Sequence, residues 1–196
     1  MTGLLWLGLF AQNGNNQGST RPLTKWEKMF PQVKYKDKIY KTGSNWFTVG
    51  YGAGWHTNED VYNQNFSMAY HHRYHAMYFN FGWHYSAPQL LNGSQIYRTM
   101  EKLNDIHAGA GLRFEGRWYN FGFFIGPSFA TTWIPENESV SKVYNQLGAH
   151  TELQFTFKYF YDLGIGTSLY GSFNKRYQVV GVQLHFYFSN AFVMEY

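Results

Sequence analysis

The 196-residue chain contains no cysteine, which excludes a disulfide frame, a thiolate metal site and a lipidated N-terminal Cys. It is also poor in charge. Asp, Glu, Lys and Arg make up 14% of the residues, against roughly 25% in an ordinary soluble protein. No run of about 18 apolar residues occurs, so no transmembrane helix can be drawn. A bilayer-crossing strand needs only about 9–11 residues with one apolar face. A mean hydropathy of −0.43 is compatible with such strands, and the length leaves room for one domain.

What is abundant is aromatic and small. Phe, Trp and Tyr reach 21%, and there are 20 glycines. From Trp46 onward the apolar residues recur with period two, the strand signature. The clearest case is Leu163, Ile165, Thr167, Leu169, Gly171 and Phe173, with Gly164, Gly166, Ser168, Tyr170 and Ser172 between them. This periodicity predicts eight strands, near 45–56, 64–73, 76–86, 105–115, 118–131, 146–158, 162–173 and 177–188. In the last six, the apolar face carries no charged residue, as hydrocarbon demands, since a basic residue there costs about 2–4 kcal/mol at the midplane. The gaps after strands two, four and six are tight turns. Those after one, three, five and seven hold Thr57 to Asn63, Ala87 to Asn104, Thr132 to Asn145 and Asn174 to Arg176, and three of these four read as long loops. Long outer loops alternating with short periplasmic turns mark bacterial barrels, with both termini in the periplasm. The expected fold is therefore all-β, an eight-stranded antiparallel transmembrane up-and-down β-barrel.

Volume assigns the faces. An eight-stranded barrel has room inside only for its own side chains. Met77, Phe79, Phe81, Trp83, Tyr85, Phe121, Phe123, Phe155, Phe157, Phe186 and Phe188 are too bulky for that lumen, so they face lipid. Gly50, Gly52, Gly54, Gly82, Gly109, Gly111, Gly122, Gly126, Gly164, Gly166 and Gly181 line the interior. Pro127 lacks the N–H a ladder needs, which places it near the outer rim, at a bulge or strand end.

The expected lumen collects His71, Arg73, His84, Arg113, Glu115, His150, Glu152, Lys158 and His185. Enclosed charges must pair or find water, so these read as a polar plug. Arg113, Glu152, His150, His84 and His185 form its expected network. Single scattered histidines show no metal-ligand spacing, and no metal or cofactor is expected. A lipid A enzyme of this size uses a His, a Ser and an acidic residue near the outer rim. His56, Glu59, Asp60, His84 and Ser86 are the candidates here, but no motif arranges them, and no catalytic residue is assigned.

The net charge of +4 is unevenly spread. Between Gln12 and Gly43 lie Arg21, Lys25, Lys28, Lys34, Lys36, Lys38 and Lys41 against Glu27 and Asp37, leaving the remainder nearly neutral. Attached to a barrel, such a segment suits lipid headgroups, an acidic protein surface or plain solvation rather than nucleic acid. Thr24 to Glu27 reads as a capping box opening a short helix, with Trp26, Met29 and Phe30 on one face before Pro31. Lys34, Lys36 and Lys38 then alternate along an extended stretch. These six residues, Trp26 to Lys38, are the candidate partner or lipid docking element. The apolar Leu4 to Phe10, followed by Ala11, reads as a signal-peptide remnant or a small apolar anchor. The expected organisation is thus 1–11 leader or anchor, 12–43 basic periplasmic strap, and 44–196 barrel.

The stretch Asp162 to Asn174 (DLGIGTSLYGSFN), followed by Val179 to Ser189 (VVGVQLHFYFS), resembles the final hairpin of small outer-membrane barrels from the Bacteroidota. Arg113 to Arg117 leading to Phe124 to Ser128 is similar to the same group, and the resemblance spans roughly 44–190. It implies a non-enzymatic accessory subunit of an outer-membrane machine, in barrel assembly or secretion, with outer-membrane lipid and other outer-membrane or periplasmic proteins as partners. The alternatives are a lipid A-modifying enzyme and a stand-alone structural or adhesive barrel.

Overall fold

Strands rather than helices form here because alternation of large apolar with small or polar residues gives an extended chain two unlike faces. The computed structural model describes residues 32–35, 38–41, 45–56, 61–74, 77–88, 102–116, 118–137, 140–160, 163–176 and 178–189. A separate two-stranded sheet comes first, β1 (Gln32–Tyr35) with β2 (Lys38–Lys41). Eight strands then close into a barrel: β3 (Trp46–His56), β4 (Val61–Tyr74), β5 (Met77–Ala87), β6 (Lys102–Glu115), β7 (Tyr119–Asn137), β8 (Val140–Phe160), β9 (Leu163–Asn174) and β10 (Gln178–Ser189). Each pairs antiparallel with the next, and β10 closes against β3. Pairing partners followed once around the wall lead from Trp46 through His71, Asn80, His150, Ser172 and Val179 to His56, ten residues further along β3. That stagger tilts the strands and brings glycines against neighbouring backbone. A Cβ at Gly52 would lie 2.1 Å from the Val182 carbonyl oxygen.

The barrel is inside-out. Leu112, Phe81, Ile106, Leu169, Leu184 and Phe186 are exposed on the outer wall, while Thr48, Asn65, Gln154, Thr156, Ser168 and Gln183 are buried. Among the described residues, the outward face of the eight strands carries one charged side chain, Lys102, where β6 starts. Exposed Tyr74, Trp118, Tyr119 and Tyr159 ring the end where the chain enters and leaves the barrel, here called the terminal end. Trp55 and Tyr62 stand exposed toward the opposite, far end. Two aromatic belts bracketing an apolar band are the signature of a wall that faces lipid.

The expected strand positions hold to within a few residues, with one large exception. Thr132 to Asn137 and Val140 to Asn145 are strand, not loop. β7 and β8 continue through these stretches as a long hairpin with a register shift between Pro135 and Asn137. Thr131, Thr132, Trp133 and Val143 are strong strand formers, and Thr131 donates to Asn145 Oδ1 at 2.9 Å. Of the three expected long connections, this one is thus replaced by the hairpin, while 57–60 and 89–101 lie outside the described residues. Pro127 is likewise not at a rim. It sits inside β7, paired with Ala149 of β8. The β6–β7 ladder is interrupted beside it, between His107–Ser128 and Ala110–Ile125, without loss of register. The missing N–H is accommodated by a gap in one ladder.

Leu169→Lys, in mid-strand on the outer wall, should cost about 2–4 kcal/mol, read as loss of the heat-modifiable band on a gel and a lower urea midpoint. Interior glycines will not be uniformly tolerant. A Cβ at Gly166 would meet the Phe155 carbonyl oxygen at 2.1 Å, whereas at Gly122 its nearest neighbour is the Phe124 ring at 2.9 Å. Gly166→Ala should therefore impair folding much more than Gly122→Ala.

Candidate functional site

Because alternate residues of every strand point inward, the lumen is where this sequence concentrates its ionisable and hydrogen-bonding groups. They segregate by height. Near the terminal end, Arg113 of β6 donates to Asn120 Oδ1 at 2.7 Å, to Tyr187 Oη at 2.8 Å and to Glu115 at 3.0 Å. Glu115 also receives Lys158 Nζ at 2.6 Å. The guanidinium lies 3.9 Å from the centre of the Trp46 ring, which stacks on His71 with centroids 4.5 Å apart. Trp46, Tyr78, Phe124 and Tyr187, from β3, β5, β7 and β10, meet across this level.

At mid-height His71 contacts Gln154 at 3.1 Å, and His185 is held between Thr156 and Ser168 at 2.8 Å each. Ser67 donates to Gln183 Oε1 at 2.9 Å, and Gln183 reaches Glu152 at 3.5 Å.

Toward the far end lies the third set. Asp105 and His107 share one face of β6, two residues apart, and His150 of β8 meets them across the lumen. Ser172 of β9 donates to Asp105 Oδ2 at 2.5 Å, and His150 Nδ1 lies 3.3 Å from the same oxygen. The His107 and His150 rings stack with centroids 3.7 Å apart and planes 1° from parallel. His84 of β5 stands beside them, 6.1 Å from His150 and 4.3 Å from Tyr170, whose hydroxyl accepts from Asn65. One donor atom from each of Asp105, His107 and His150 falls within a mutual 4.8 Å. Both ring nitrogens of His107 and of His84, and Asp105 Oδ1, are buried without a hydrogen-bond partner. Such groups are costly, about 1–3 kcal/mol each. A void of about 10 Å³ touches His84, His107, His150 and Glu152, room for one water or one ion. Leu103, Ala130, Tyr170 and Val179 pack together nearby as an apolar cluster.

All the ionisable residues expected in the lumen lie on its face, with Arg73 half-buried. Among the described residues their hydrogen bonds and ion pairs fall into separate sets. Arg113 belongs to the terminal-end set, Glu152 and His185 to separate mid-height sets, and His84 and His150 to the far-end set. Sequence reading missed Asp105 and His107, although their even spacing from Arg113 on β6 marks the same face. Of the bulky residues it placed on the lipid side, Met77, Phe81, Trp83, Phe123, Phe155, Phe157, Phe186 and Phe188 are exposed there, but it did not foresee that Trp46, Tyr78, Phe124, Tyr170 and Tyr187 fill the interior. Of the enzymatic candidates, Glu59 and Asp60 lie outside the described residues. His56, His84 and Ser86 are buried, and neither His84 nor Ser86 makes a side-chain hydrogen bond. Trp26, Met29, Phe30 and Lys36 also lie outside the described residues, while Lys34 and Lys38 fall on β1 and β2.

No family model and no curated protein matches the chain. Solved structures do. Neisserial surface protein A aligns with a TM-score of 0.57 at 8% identity, covering 74% of this chain and 95% of that one. Ail, the attachment invasion locus protein of Yersinia pestis, aligns at 0.55 and 12% identity over 75% of this chain and 97% of its own. A second Ail structure, in complex with the heparin analogue sucrose octasulfate, aligns at 0.50 and 11% identity over the same shares. At such identities the likeness concerns fold. The chain has the fold of small eight-stranded outer-membrane barrels.

Side chains from opposite walls meet at every level described, so the purified barrel should show no steady conductance in planar bilayers. Glu115→Ala should be severe, because it removes the carboxylate between two buried cations. The expected loss is about 3–5 kcal/mol in urea titrations of the refolded barrel.

Proposed function

We propose that this protein is a non-enzymatic integral outer-membrane barrel that serves as a structural or accessory subunit of an outer-membrane complex, of the barrel-assembly or secretion type. The observation that carries this reading is the filled lumen. A barrel whose interior is closed by Trp46, Phe124, Arg113 and Tyr187 at one level, and by Asp105, His107 and His150 at another, acts through its outer wall, its loops or its N-terminal segment. The hairpin resemblance to Bacteroidota barrels supports the same assignment. On this reading the termini are periplasmic and residues 1–11 are a leader or anchor. Residues 12–43, including the β1–β2 hairpin, are a strap that docks on an acidic protein surface or on lipid.

A barrel can insert without such a strap, so its composition is best explained by an interaction. Trp26 and Phe30 would be its anchors, since a few aromatics supply most of an interface's energy. The lysines would mainly steer the encounter. Replacing Trp26 and Phe30 together by Ala should leave the heat-modifiable barrel intact while releasing proteins that co-purify with it in mild detergent. Retention of those proteins by the double variant would move docking to the barrel wall or loops. A wild-type barrel that extracts alone would defeat the complex-subunit reading.

One observation favours an adhesive role as the second reading. At the far end, Arg176 and Lys142 lie over the Tyr144 ring at 4.2 and 5.9 Å, beside exposed Lys175. A basic rim of this kind suits a sulfated or phosphorylated sugar. Salt-sensitive retention on heparin that is lost in Lys142→Ala/Arg176→Ala would shift the assignment toward adhesion.

A further inference from the structure

We propose that Asp105, His107 and His150 bind one divalent transition-metal ion inside the barrel, with His84 or Glu152 completing its coordination. The cluster has the composition such ions select. Two imidazoles and a carboxylate suit zinc or ferrous iron, and the absence of cysteine argues against softer, thiolate-seeking ions. It also has the charge such an ion would answer. Asp105 is fully buried, its ionic neighbour among the described residues is His150, and the barrel's internal cations Arg113 and Lys158 belong to the terminal-end set. A buried carboxylate stays charged only when paired or when it coordinates a metal.

The orphaned atoms are the second, independent observation. Both nitrogens of His107 and of His84, and Asp105 Oδ1, make no hydrogen bond although fully enclosed. His84 and His107 line the ion-sized void, together with His150 and Glu152. Support for the ligands is in place as well. Ser172 donates to Asp105, and His150 directs Nδ1 at the same carboxylate. That contact already brings His150 Nδ1 and an Asp105 oxygen, two of the proposed ligand atoms, to 3.3 Å from each other.

Binding requires a local rearrangement. Zinc bonds of about 2.0–2.1 Å place tetrahedral ligands roughly 3.3 Å apart, closer than the 4.8 Å spread observed. A ring nitrogen's lone pair also lies in the ring plane, so two rings stacked 1° from parallel cannot both aim at one ion. Loading therefore turns His107 or His150 out of the stack. The ion would clasp β6 to β8 across the lumen. Because apolar Leu103, Ala130, Tyr170 and Val179 pack nearby, loading during folding is the natural route.

The test uses the full chain without a histidine tag, unfolded with chelator and refolded in detergent with or without Zn²⁺ or Co²⁺. Unbound metal is removed by gel filtration before metal analysis. The folded barrel should retain about one zinc per chain and melt at a higher temperature than the metal-free barrel. With Co²⁺ it should show visible bands of a nitrogen–oxygen site. His107→Gln and His150→Gln should each weaken retention by at least about 10-fold. His185→Gln, which alters a histidine held by Thr156 and Ser168, should leave it unchanged. If the first two variants do not fold, X-ray absorption at the zinc edge of the wild-type protein decides. Two or three imidazole ligands support the site, and a shell without imidazole overturns it. Folded wild-type barrel that retains no zinc, or zinc retained equally by the His107 and His150 variants, also overturns the proposal.

Discussion

Hydrocarbon offers no hydrogen bond to a peptide group, so every strand that crosses it must find a partner on both sides. β3 to β10 meet that demand by closing on themselves with a ten-residue stagger, and much else in the molecule follows from the narrow cylinder that results. The lumen is too thin for bulk water and too thin for large side chains on every strand. Glycines therefore recur where backbones crowd, as at Gly52 and Gly166. The break beside Pro127 is tolerated because it affects one ladder while the pairing with β8 continues.

The same narrowness makes the interior a place where charges must be matched by neighbours rather than by solvent. At the terminal end the match is internal: Glu115 sits between Arg113 and Lys158, and aromatic rings cover the guanidinium. Asp105 toward the far end and Glu152 at mid-height meet histidines and amides instead of Lys or Arg. One end of the lumen is thus balanced by the chain's own cations, whereas the other is rich in ligands for a cation. On the proposed metal site the difference is one of function, because a plug needs only the first type.

For the biological role, the closed lumen matters more than any single residue. It turns attention from transport to surfaces: the outer wall, the long β7–β8 hairpin, the basic rim around Tyr144 and the N-terminal strap. The fold is shared with barrels of quite different names, so the fold by itself does not give the task.

Period two was enough to read eight strands, their order and the face that each residue takes, because lipid permits no charge on one face and the lumen no uniform bulk on the other. It did not reveal how far β7 and β8 extend, since alternation weakens where no apolar face has to be kept. Nor could it place residues at a height. Asp105, His107 and His150 are unremarkable in sequence, 45 residues separating the first from the last. They meet because strand register and barrel stagger bring two non-adjacent strands to one level. Composition and alternation, which are local, determined the barrel and its orientation of side chains. Which inward groups touch was decided by closure, because distance across a lumen depends on register summed around the whole wall.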